Sequence, residues 1–450
     1  MKYFLIFLVL ISFKSLAEII HASSENDQNP SKQTKIILET LFSDIGIEKK
    51  MQPLIENQPA PAPAPIPTHS PTPTIVPTET PKPITAGELK IQELLKKNKE
   101  ALKKQKEDEK DAAFKKKYYK KDDNIYAEIR SENEENLKKL KNENQATLSA
   151  WNAEVKKTRE QWEKMRKEFL SNIKTYRKNT FNLEEHEEKL QAGAHDFQIT
   201  PLTKNYVEKL SSSDYRLIKN AMDIPIRNQG KRPTCSAFSG IRAIEILLKS
   251  NNIESDLSEQ YFYWSSRPGC QQAPCSSKGS WAAQGYDQSM QAKMPDIPLE
   301  KFCPYKEVSI NNNETQIPLG QTCQEGFVKI NHYKRLNSLP ETMAALDAGK
   351  PVIAGFTLTP NFYLSNGFIT YKNSKSKGQM DSHAEGHAIL LIGYIPLPAK
   401  YHAEEGQVCF ITANSWGEGW GRGGYSCLSE TWVLKQRVKN AFLSIESVIN

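Results

Sequence analysis

The sequence predicts an α+β chain in which a long charged helical region precedes a C-terminal domain holding both helix and sheet. Three observations predict it. From Cys235 onward, Ile241, Ile244, Leu247 and Leu248 recur at helical spacing. His387 opens a continuous apolar run to Tyr394, and a second run from Phe410 ends at Asn414; both read as strands. Residues 88–180 contain no proline, and Leu148, Trp151, Val155, Trp162, Met165, Phe169 and Tyr176 form one stripe at three-to-four-residue spacing, with Thr158 and Asn172 in the gaps.

The 450 residues fall into regions of different composition. Residues 1–17 begin with Lys2, continue through the apolar run Tyr3 to Ser12 and close on Ser15-Leu16-Ala17, the pattern of a secretory signal. No later stretch reaches the ~20 apolar residues that a membrane helix needs. A soluble protein outside the cytosol, secreted or periplasmic, is expected. Residues 18–57 are polar, and no ordered structure is expected there. Residues 58–83 read QPAPAPAPIPTHSPTPTIVPTETPKP. Prolines this dense exclude helix and sheet interior and favour an extended spacer.

Residues 88–185 form a charged helical or coiled-coil region. Positions 88–180 carry 26 Lys+Arg and 18 Asp+Glu, a net of +8, so the rest of the chain nets −1 and the overall +7 belongs to this segment. Acidic residues interleave throughout, which argues against a nucleic-acid partner. The 137–176 stripe fits self-association, packing on the C-terminal domain, or a solvated helix. Residues 186–220 form a connector, and 221–450 the C-terminal domain.

All seven cysteines follow residue 234. An odd number in an oxidising compartment leaves a thiol unpaired if the others pair. Sequence neighbours suggest Cys270–Cys275, Cys303–Cys323 and Cys409–Cys427, the last flanking a hairpin.

The chemistry sits in three runs. Ile224-Pro-Ile-Arg leads through Gln229-Gly230 to Pro233-Thr-Cys235, at the start of a helix. Unsatisfied N–H groups and the helix dipole there favour a thiolate, the reactive form of cysteine. The Gln229 amide and the Cys235 N–H suit an oxyanion hole. Gly386-His387 at the head of a strand supplies a base, and Asn414 an oxygen to orient its ring. Trp416 suits a cover that keeps water off that contact. His383 lies four residues before His387, near Asp381 and Glu385, but no second cluster matches it. No metal and no cofactor are expected.

Together these runs resemble the papain-like cysteine peptidases. The family pattern Asn-Ser-Trp-Gly-x-x-Trp-Gly-x-x-Gly-Tyr is met from Asn414 to Tyr425, and His387 follows Cys235 by 152 residues. The resemblance implies two lobes, one mostly helical and one a β-barrel, with the site between them. It makes Cys235 the nucleophile, His387 the general base and acid, Asn414 the orienter and Gln229 the oxyanion donor. A secreted endopeptidase acting on protein or peptide is the implied function. The alternative is a weak or inactive papain-like binding protein displayed on a spacer and coiled coil.

Some positions depart from the family. Ser236 stands where a Trp usually follows the nucleophile. Arg232 stands in place of a cysteine whose partner usually precedes a Gly-Gly pair; here that region reads Ser277-Lys278-Gly279-Ser280. Both ends of that bridge are absent together. Phe169 and Asn172 match the spacing of two positions of the family's pro-region helix, and Tyr176 replaces an aliphatic. The run His195-Asp-Phe-Gln-Ile-Thr-Pro-Leu-Thr resembles the chain after that helix, and the remaining positions of the pattern do not match, so residues 162–210 read either as an inhibitory pro-region or as a plain coiled-coil spacer.

Overall fold

A computed structural model describes residues 31–47, 100, 103–104, 106–110, 123–173, 176, 181–182, 197–198, 200–204, 207, 215–271, 279–307, 319–364, 366–372, 385–438 and 442–449. The signal segment 1–17, the proline-rich 58–83, Cys275, Asp381, His383 and most of the 186–214 connector lie outside them. The chain divides into two compact units: Met1–Gln52 together with Glu154–Asn450, and Pro53–Ala153.

In the larger unit, three helices gather on one side: α3 (Cys235–Ser250), α4 (Glu259–Ser265) and α5 (Ala282–Ser289). The sheet is built from β3 (Ile297–Pro298), β4 (Gly326–Leu336), β5 (Val352–Thr357), β6 (Phe368–Ile369), β7 (Glu385–Pro396), β8 (Val408–Ala413), β9 (Tyr425–Ser429) and β10 (Phe442–Ile449). Their order is β3-β4-β10-β5-β7-β8-β9-β6. Short β1 (Phe181–Asn182) and β2 (Arg216–Leu217) both add antiparallel to β7.

Why β7 is apolar on both faces follows from its neighbours. It pairs with β5 on one edge and β8 on the other, and α3 packs against it. Ile389, Leu390, Leu391, Ile392, Tyr394 and Ile395 are all 0% exposed. A strand covered on both faces reads as a continuous apolar run rather than an alternating one, which is the pattern after His387. Gly393 interrupts it because β2 crosses there: a Cβ at this position would lie 2.1 Å from the Arg216 carbonyl oxygen. Helix α3 meets the strand with every residue from Cys235 to Leu248 buried.

Residues 18–57, expected to lack order, contain a helix, α1 (Lys32–Ile45). Ser31 caps it by accepting the Thr34 N–H at 3.2 Å, and Gly46 closes it in the left-handed conformation at φ 76°. Ile37, Leu38, Leu41 and Ile45 are 0% exposed. Asp44 receives two 2.8 Å bonds from the Arg422 guanidinium, and Phe42 meets Tyr215 edge-on. The cap, the apolar spacing and the closing glycine were all readable in the sequence; the polar residues around a short helix concealed them.

The charged region contains α2 (Asp123–Ser171). Its stripe is used within the chain. Val155, Trp162 and Phe169 are buried, and Met165 is half-buried. Trp162 lies over Gly423, where a Cβ would come within 2.6 Å of the indole; a Cβ on Gly419 would come within 2.6 Å of the Met165 carbonyl. The glycines of the Asn414–Tyr425 turn thus admit the helix to backbone distance. In the smaller unit, Leu137 and Leu140 are 53% and 51% exposed.

Truncating Leu41 to Ala should cost about 2–5 kcal/mol, because its side chain is fully enclosed. Urea unfolding of the full chain reads this as a lower midpoint. An unchanged midpoint would mean that α1 does not belong to the core.

Candidate active site

Each sequence-predicted site residue is placed by a different element. Cys235 is the first residue of α3, His387 is the third of β7, Asn414 follows β8, and Gln229 precedes the turn into α3. All four are buried: Cys235 and Asn414 are 4% exposed, His387 3% and Gln229 2%. Cys235 Sγ accepts the N–H of Ala388 at 3.4 Å, which brings the sulfur beside the residue that follows His387.

The tautomer of His387 follows from the hydrogen bonds. The backbone N–H of Ser415 donates to one side-chain atom of Asn414 at 2.8 Å. A backbone N–H can only donate, so that atom is the amide oxygen. The same oxygen lies 2.7 Å from His387 Nε2. Nε2 therefore carries the proton, and Nδ1 is left with a bare lone pair. Nδ1 is buried and has no hydrogen-bond partner among the described residues. That is the state of a base waiting for a proton.

Gln229 is held at both ends. Its Oε1 accepts from Ser415 Oγ at 2.7 Å, and its Nε2 donates to the Arg232 carbonyl at 2.8 Å. An amide NH2 has two protons, so one remains available. Trp416 lies over the imidazole, with ring centroids 4.5 Å apart, and Phe362 meets it edge-on at 5.8 Å. The two departures near Cys235 face each other: Ser236 Oγ and Ser280 Oγ are 2.6 Å apart.

Burial governs the electrostatics. It pushes the Cys235 thiol up to about 11, although the N–H groups of Ala388, Ser236 and Cys235 itself pull the other way. Burial also pulls the His387 imidazole down to about 4, against the bond from Asn414. The helix start favours a thiolate, as the sequence suggests, but it is outweighed here by loss of solvent. In this state both groups are neutral at pH 7.

Aromatic side chains from α2 and the chain after it pack on Trp416. Phe169 of α2 stacks on Trp416 at 6.0 Å, and Tyr176 packs against it at 5.6 Å. Asn228 Nδ2 donates to the Tyr176 hydroxyl at 3.1 Å. Just beyond, β1 pairs Phe181 with Gly386 and Asn182 with Glu385, the two residues before His387.

Sequence reasoning missed the arginines that hold the Ile224–Arg227 run. Arg227 reaches Glu245 at 2.8 Å, Glu259 at 2.7 Å and Asp256 at 2.6 Å. Arg242 donates to the carbonyls of Ala221, Ile224 and Pro225 and to the Tyr425 hydroxyl. An acidic residue on an apolar helix face, Glu245, was the available signal. Disulfides join Cys303–Cys323 and Cys409–Cys427, and Cys235 is free. Cys270 is also disulfide-bonded; its expected partner, Cys275, lies outside the described residues. Among those residues no group of three or more His, Cys, Asp or Glu is placed to hold a metal, and no helix is long and apolar enough to cross a membrane.

This chain belongs to the papain family of cysteine proteases, whose profile matches residues 210–442. It is 26% identical over 202 residues to ananain of Ananas comosus, covering 44% of this chain and 50% of ananain. It is 28% identical over 215 residues to cysteine proteinase 1 of Entamoeba histolytica, covering 45% and 58%. A solved structure of a ragweed pollen cysteine protease in its proform aligns with a TM-score of 0.41 at 20% identity, over 60% of this chain and 77% of that one. The chain spans about half the length of the curated relatives it matches.

The rise from 9.0 to about 11 leaves Cys235 with about 100-fold less thiolate at neutral pH than an unburied thiol. Iodoacetamide should therefore alkylate Cys235 of the uncleaved chain slowly at pH 7, with a rate that climbs until about pH 11. A rate that levels off at or below pH 8.5 would contradict this account of the site.

Proposed function

We propose that the chain hydrolyses peptide bonds through Cys235 and is made in a closed, latent form. One observation carries the reading: the Asn414 oxygen fixes the His387 tautomer so that an unpartnered Nδ1 remains on a strand whose next N–H touches Cys235 Sγ. In the working enzyme Nδ1 takes the thiol proton and Sγ attacks the scissile carbonyl. The oxyanion receives the Cys235 N–H and the second proton of Gln229 Nε2. The imidazolium then protonates the leaving amine, and water releases the acyl-enzyme. A binding protein would need no such set of four, which weighs against the inactive alternative.

Latency is supported by Phe169 and Tyr176, which pack on Trp416, and by β1, which pairs with the start of β7. Residues 162–210 would then be a pro-region, and the mature enzyme would begin downstream of them. The oxidised Cys303–Cys323 and Cys409–Cys427 pairs favour work outside the cytosol, in line with a signal at 1–17. Protein or peptide is the proposed substrate class.

Cys235→Ala should abolish cleavage of unfolded protein and labelling by a thiol-directed epoxide. A variant as active as the parent sinks the assignment. Latency has a pH sign as well. An opened site returns His387 to solvent and its ordinary 6.5, whereas the closed site holds it near 4. Between these values the opened form binds more protons, so the closed form loses stability as pH falls from 6.5 toward 4. In the inert Cys235→Ala chain, hydrogen exchange of peptides spanning 154–176, corrected for intrinsic rate, should quicken across that window. Exchange that slows or stays level on acidification would rule out His387 as the group being uncovered.

A further inference from the structure

We infer that Arg232 is a positioning residue: its buried side chain, in place of a disulfide, fixes the carbonyl that aims Gln229 at the oxyanion. The inference rests on the reading of Cys235 and Gln229 given above.

The turn from Gln229 to Thr234 has no covalent tie. The cysteine expected three residues before the nucleophile is Arg232, and Gly279-Ser280 on the opposite side holds no cysteine. Arg232 is 2% exposed. Its Nη1 donates to Gln260 Oε1 at 2.7 Å and to the Lys306 carbonyl at 2.8 Å. Its guanidinium lies 5.1 Å from the Tyr263 ring centre and 5.3 Å from that of Tyr305. One side chain thus joins the turn to α4 and to the 305–306 segment.

Such burial rules out a role in reading charge on a substrate. It also asks why a guanidinium is kept where an apolar side chain of equal volume would pack without losing hydration. The fork supplies what apolar packing lacks, which is direction: planar donors and two aromatic faces hold the residue in one orientation. Its own carbonyl then has a fixed place. That carbonyl accepts Gln229 Nε2 at 2.8 Å and the Thr234 N–H at 2.9 Å. Tyr305 closes the circuit, donating its hydroxyl to the Gln229 carbonyl at 2.8 Å and lying 2.7 Å from Thr234 Oγ1. With one proton of Nε2 on Arg232, the other points where that bond directs it. Oxyanion stabilisation depends on the donor lying at 2.7–3.1 Å from the developing charge, so a shift of the Arg232 carbonyl shifts catalysis while leaving the thiol in place.

The test uses the full chain, cleaved until its N-terminus lies after residue 182 as mass spectrometry reads it, with Arg232→Met, Arg232→Lys, Gln229→Ala and the Gln229→Ala/Arg232→Met double variant. Turnover of a peptide anilide passes through an oxyanion; alkylation of Cys235 by iodoacetamide does not. Arg232→Met should lower kcat roughly 10- to 100-fold with KM and alkylation rate changed less than about twofold. Arg232→Lys should fall between it and the parent. The double variant should lose no more than Gln229→Ala, because one residue acts through the other. Losses that multiply in the double variant, or alkylation that falls in step with turnover, would overturn the inference. Should Arg232→Met fail to fold, Gln260→Ala loosens the same side chain and should give the same split. A cleaved parent that neither turns over substrate nor is alkylated at Cys235 sinks the peptidase reading instead. Hydrogen exchange then still decides for Arg232: peptides spanning 229–234 should exchange faster in the variant, and unchanged exchange counts against it.

Discussion

Trp416 is the side chain on which both the site and its cover rest. Its indole lies 4.5 Å from the His387 ring and is stacked by Tyr363 at 5.3 Å. On the side of α2 it receives Phe169 and Tyr176. Stacked aromatic contacts add modest energy beyond the area they bury, but here they serve two purposes at once. The indole that lies against the His387 ring is also the one on which Phe169 and Tyr176 pack.

Burial sets the electrostatics of the site. A helix start and three N–H groups surround the Cys235 sulfur, yet desolvation prevails and the thiol stays protonated. The imidazole is kept neutral by the same desolvation. The second layer of the site escapes this dependence. Arg227, Arg232 and Arg242 are tied to carboxylates, carbonyls and aromatic rings, so Gln229 and the chain leading to Cys235 have their own supports besides the Asn228 bond to Tyr176.

Much of this was legible in the sequence because the site is local in each of its parts. The run from Asn414 to Tyr425, the strand opened by His387 and the helix opened by Cys235 each carry their own pattern. The disulfides Cys303–Cys323 and Cys409–Cys427 join near neighbours in sequence. What stayed hidden was long-range. Helix α1 carries its caps and apolar spacing openly, but its purpose depends on Arg422, 378 positions away. The stripe on α2 was visible, while its partner was not: spacing shows that a face is apolar and is silent about what covers it. Arg232 could be noticed only as a missing cysteine, because its replacement partners, Gln260 and the Lys306 carbonyl, lie 28 and 74 residues downstream.

The central claim is that the reactive site and the covering helix exclude one another. The most direct measurement is the N-terminus of whatever species a thiol-directed epoxide labels, determined by mass spectrometry of the labelled chain. The account predicts a labelled chain that begins downstream of β1, after residue 182. A labelled chain that still carries α2 and β1 in covalent continuity with Cys235 would contradict it.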